Sequence, residues 1–125
     1  MKGFLVLLIV AFFIASGTTL AHHGAAAAFD TGKNVKVQGT ITDFQFTNPH
    51  VLVYFECKND KGEKEQWQGE LTAPTKLSRA GWSKTTLKPG DPVTVGGYPA
   101  RSGAHTLWIR ELIGPDGKAL PLFEE

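Results

Sequence analysis

The sequence predicts an all-β domain: a small five-stranded OB-like Greek-key barrel with a short helix between strands 3 and 4. Three observations carry that prediction. Between Val35 and Ile113 the apolar residues recur mainly with period two, as half-buried strands require. Turn formers (Gly, Pro, Asn and Asp) cut this pattern into five runs. The β pattern fails once, after the third run, at TAPTKLSRAGW. Three strands, a helix and two strands is the order of an OB-fold. An open β-sandwich of the same strands is the competing architecture.

The chain opens outside that domain. Lys2 precedes the apolar run FLVLLIVAFFI, Phe4 to Ile14, and small residues lead from it to Ala21. This three-part pattern is that of a secretory signal peptide over residues 1–21. The apolar run is shorter than the ~20 residues that span a bilayer comfortably. Cleavage after Ala21 is therefore expected, not retention as an anchor. No cysteine stands at the expected cleavage site, which excludes a lipid-modified N-terminal cysteine. The expected location is the periplasm or the outside of a bacterial cell, free of the membrane. Residues 22–34 form a lead segment. Its AAAAFDTGKN portion lacks strand alternation, suits a short helical piece and ends in turn formers. Residues 35–125 are left for the barrel.

In the first strand Val35, Val37 and Ile41 share one phase, and Phe44 and Phe46 share the other. A phase change inside one run implies a bulge or a bend, with Gly39 the natural place for it. Pro49 ends the run. Val51 to Lys58 is the clearest strand, with Val51, Val53, Phe55 and Cys57 on one face. NDKGE is its hairpin turn. Glu65 to Leu71 follows, with Trp67, Gly69 and Leu71 on the apolar face. Thr72 is placed to cap a helix over Pro74–Ala80, and Gly81 to stop it. Trp82 then plugs the barrel end beneath the helix. LKPGD turns the chain into a fourth strand, Pro92–Tyr98. A loop carrying His105 leads to the fifth, Thr106–Ile113, and ALPLFEE is a tail suited to a short edge strand.

Composition narrows the function. Removing the first 21 residues leaves 104, with twelve basic residues against twelve acidic ones. A neutral domain lacks the basic field that nucleic-acid binding normally displays. The single cysteine, Cys57, cannot form an internal disulfide. Its strand phase marks it as a small core residue and not a reactive thiol.

Several segments carry a resemblance. They are the opening AHHG…FD, then VKVQGTITDFQFTNPHVLVYF, GEKEQWQGEL, LSRAGWSKTTLKPGDPVTVGGYPARSG and GPDGKALP. Together they resemble the bacterial exported family known as domain of unknown function 6152, from His22 to about Pro121. NPH and the GW…LKPGD motif are the most specific elements. The resemblance implies export and a small β domain, and it brings no catalytic residue with it.

Four histidines are the candidate metal ligands. Cleavage after Ala21 makes His22 the first residue, so its α-amine and ring nitrogen can grip one ion together. His23 adds a second ring and a backbone amide. Nitrogen ligands in a plane favour Cu(II). His50, between strands 1 and 2, and His105, between strands 4 and 5, fall on the two loops that flank the usual OB binding face. The lead segment is long enough to lie across that rim. Tyr54 and Trp108 alternate outward and are candidates for stacking on a ligand, whereas Trp67 falls in the core phase. Catalysis has little support. The strand carboxylates Asp43, Glu56, Glu70 and Glu111 show no spacing that forces a pair, and no nucleophile elbow, phosphate loop or dinucleotide fingerprint is present. The expectation is an exported module that binds without transforming, with copper as the first ligand to consider. The alternative is a metal-free module that holds a peptide, glycan or partner protein on the barrel face.

Overall fold

The computed structural model describes residues 27–122. The predicted signal peptide, His22 and His23 lie outside the described residues. Five strands close into a barrel: β1 (Val35–Gln45), β2 (Leu52–Lys58), β3 (Lys64–Glu70), β4 (Pro92–Pro99) and β5 (Thr106–Ile113). A single short helix, α1 (Pro74–Arg79), joins β3 to β4. The barrel order is β1-β2-β3-β5-β4, closing back on β1, with β3 and β5 parallel and every other pair antiparallel. The predicted OB-like barrel is thus the fold, and the open sandwich is not. Among the described residues, no helix is long and apolar enough to cross a membrane.

Closure depends on β1, which pairs with β4 along its first half and with β2 along its second. Between them the register shifts at Ile41/Asp43, where Thr42 is the extra residue. That bulge explains the phase change: Val35, Val37 and Ile41 turn to the core before it, and Phe44 and Phe46 after it. The bend is therefore not at Gly39, which keeps regular register with Val93. Glycine is needed there for another reason. A Cβ at Gly39 would come within 2.5 Å of the Glu56 carbonyl oxygen and 3.1 Å of the Phe55 ring.

The core is the set of inward residues that this register aligns: Ile41, Val53, Phe55, Val93, Val95, Leu107, Ile109 and Leu112. Each such side chain contributes about 1.5–3 kcal/mol by leaving water. Leu77 of α1 enters the same cluster, fully buried. Trp82 closes the barrel end as expected, 4% exposed, and its indole N–H donates to the Pro121 carbonyl at 2.8 Å. The tail adds one bridge, Ile113 to Ala119, and no full strand.

Thr72 does not cap α1. The N-cap is Ala73, which has no side-chain oxygen to offer. Thr72 is held as a continuation of the sheet, its carbonyl accepting from the Val51 N–H at 3.1 Å. Gly81, at φ +96, ends the helix as predicted.

Candidate functional site

Alternation sends one set of side chains outward from β2, β3 and β5, and cross-strand register arranges them in rows. Leu52, Glu70, Trp108 and Tyr98 form one row across four strands. Tyr54, Gln68 and Thr106 form the next. Glu56 and Gln66 begin a third and are joined by a 3.0 Å hydrogen bond from the Gln66 amide.

His50 stands over the first row. Its Nδ1 lies 2.6 Å from Glu70 Oε1. A carboxylate accepts, so Nδ1 donates in this contact and Nε2 is the ring nitrogen left to meet a further partner. The ring also meets Trp108 edge-on, with centroids 5.7 Å apart. Trp108 is covered in turn by Phe29 of the lead segment, at 6.1 Å. The lead is tied down at this point. Asp30 N–H donates to the Pro99 carbonyl at 2.8 Å, and Arg101 N–H donates to the Ala28 carbonyl at 2.9 Å. Phe29 itself is 5% exposed.

His105 belongs to a different cluster. β5 runs beside β3 only along Gln68–Glu70, so the first half of β3 extends past the barrel mouth. There Trp67 stacks inward on Phe55 at 6.3 Å and outward on His105 at 4.7 Å. Glu65 lies at the edge of this stack. It accepts from the Trp67 indole N–H at 3.3 Å and stands 4.0 Å from His105 Nε2. Cys57 Sγ is 3.9 Å from the same carboxylate. Burial pushes the Cys57 thiol above its ordinary value of 9.0, and the negative charge of Glu65 adds to that. A thiol held protonated is a poor nucleophile and a poor ligand.

The two described histidines therefore have different carboxylate partners. Glu65 and Glu70 are five residues apart on one strand, ~16 Å along it and on opposite faces. His50 and His105 cannot share one ion while each keeps its carboxylate. Among the described residues, no three His, Cys, Asp or Glu side chains come together as a metal site.

The aromatic expectations divide in the same way. Tyr54 lines an open groove of about 440 Å³ with Gln66, Trp67, Gln68, His105 and Thr106. Trp108 does not line it, because the lead segment covers its ring. Two core assignments need correction. Trp67 is half-buried and forms part of the groove wall, and Cys57 is partly exposed. Both lie where the β2–β3 hairpin outruns β5, so strand phase alone does not bury them. Sequence reasoning also missed Glu65 and Glu70 as histidine partners. Each is joined to a residue distant in the chain, and no local spacing marks it.

Comparison with curated proteins finds no match. The sequence profile of a family described as "Family of unknown function (DUF6152)" matches residues 11–108. The matched span starts before the barrel, runs through NPH and the GW…LKPGD motif, and reaches Trp108 within β5. With most of its length matched, the chain belongs to the family of unknown function DUF6152.

Proposed function

We propose that the chain is an exported binding module that captures a metal ion, Cu(II) first, between its processed N-terminus and the rim of the barrel. The signal peptide ends at Ala21 in this reading, and His22 supplies its α-amine and ring nitrogen. His23 supplies a further nitrogen. His50 is the ligand contributed by the barrel, through Nε2. Its Nδ1–H is already given to Glu70, the arrangement by which ligating histidines are commonly oriented. His105 remains outside this set because it stands by Glu65, ~16 Å along β3 from the Glu70 that holds His50.

One observation carries the proposal: the lead segment is fastened beside His50. Residues 28–30 bond to Pro99 and Arg101, and Phe29 packs on the same indole that touches His50. The five residues from Ala28 back to His23 reach up to ~17 Å. The ring path from Phe29 to His50 has steps of 6.1 and 5.7 Å. The tether is long enough.

The test is Cu(II) titration of protein processed by an exporting cell, with its mass measured in the same sample. A version with one extra residue before His22 and a His50→Ala variant are titrated beside it. Tight one-to-one binding that weakens in both supports a site built from terminus and barrel. Weakening only in the extended version leaves a terminal chelate without a barrel ligand. Weak binding throughout removes the metal reading. The second reading, a metal-free module, is favoured by one feature, the groove beside Tyr54.

A further inference from the structure

We infer that the Tyr54 groove binds an uncharged saccharide chain, and this inference stands apart from the metal proposal. Three features of the groove support it.

The first is the set of hydrogen-bonding groups. Tyr54, Gln68 and Thr106 lie side by side on three adjacent strands. Strand spacing sets them ~4.8 Å apart, comparable to the width of one sugar ring. All three are half-buried. Among the described residues their side chains have no hydrogen-bond partner, whereas the neighbouring Gln66 amide is committed to Glu56. A phenol, a primary amide and a hydroxyl therefore face the groove with their donors and acceptors open. Sugar hydroxyls, which both donate and accept, match such a row.

The second is the wall. Phe55, Trp67 and His105 form a continuous stack from core to surface, with interplanar angles of 21° and 12°. The innermost ring is fully buried, so the outermost is firmly seated. The outer face of His105 is left as a flat surface at the groove's edge, where the C–H face of a sugar ring can rest.

The third is charge. OB barrels bind oligonucleotides or oligosaccharides on this face. No lysine, arginine, aspartate or glutamate lines the groove. Glu56, which holds Gln66, is itself paired with Lys64 at 3.3 Å. Phosphate backbones need cationic partners, and no lysine or arginine lines the groove. The lining fits the neutral alternative.

The experiment is an amide-resolved NMR titration of the folded chain in EDTA. The probes are hexamers of β-1,4-glucose, α-1,4-glucose and β-1,4-N-acetylglucosamine. A hexagalacturonate, a thymidine decanucleotide and an uncharged decapeptide are the comparators. The expected result is that a neutral hexamer at millimolar concentration shifts the Gln66, Gln68 and Thr106 amides and the Trp67 indole. Gln68→Ala and Tyr54→Phe should each weaken it roughly three- to tenfold, the loss of one hydrogen bond. His50→Ala should leave it unchanged, which separates this result from the outcome of the copper titration. Both substituted groove positions point outward, and an unchanged melting curve checks the fold. Silence from all three neutral hexamers overturns the inference. So does a response of these amides to the peptide or the oligonucleotide alone.

Discussion

At the scale of single residues, Glu65 shows how much one side chain organises. It takes the Trp67 indole proton, faces His105 and lies against the Cys57 thiol. Partial burial and that carboxylate both disfavour the Cys57 thiolate. A thiol whose folded value lies above its unfolded one contributes stability that is complete below the unfolded value. That contribution is lost as pH rises through the folded value. The loss therefore begins near pH 9.0 and not at neutrality. Two measurements follow from this. Iodoacetamide should label Cys57 more slowly in folded than in urea-unfolded protein at every pH from neutral to about 9. Cys57→Ala should flatten the alkaline fall in stability. Equal labelling rates in the two states would show that the thiol is not perturbed.

At the scale of elements, α1 is held by its core contact more than by its own ends. It has six residues, no side-chain cap and no acidic residue in its first turn, while Leu77 is fully buried. Ala73→Asp supplies both a cap oxygen and a favourable charge. The expected gain is about 1 kcal/mol, which in a domain this size raises Tm by roughly 4–8 °C. An unchanged Tm would mean that other groups already satisfy the first-turn amides. The same element shows what the sequence makes legible. Pro74 and Gly81 mark the helix correctly because proline and glycine act on their own backbone. Thr72 misleads because its role is decided by Val51, on a neighbouring strand. The bulge follows the same rule. The phase change between Ile41 and Phe44 is written in the sequence, but its position at Thr42 is set by pairing with β2. The order of elements along the chain, the β5 limits and the outward phase of Tyr54 are readable from periodicity and turn formers. The His50–Glu70 and Trp67–His105 contacts are not, because each depends on how two distant segments are brought together.

At the scale of the whole molecule, the barrel presents two separate regions, one around His50 and Trp108 and one around Tyr54 and His105, and the lead segment is fastened at the first. Its described part crosses the end of β4 and covers Trp108, and none of its described residues lines the Tyr54 groove. Phe29 is the fastening. Phe29→Ala removes a buried ring and should cost about 3 kcal/mol, with the five strands retained. Hydrogen exchange should then speed up at the Asp30 and Arg101 amides, whose bonds depend on the lead lying in place. If the fastening is what brings the terminus to His50, Phe29→Ala should also weaken Cu(II) binding to about the level of His50→Ala. Combining the two should cost little more than either alone, since residues serving one interaction are non-additive. Losses that simply add would mean that Phe29 supports the fold while His50 acts without it. Faster exchange with unchanged Cu(II) affinity would separate the fastening from the metal altogether. The barrel would then be a carrier for the terminal histidines and not part of their site.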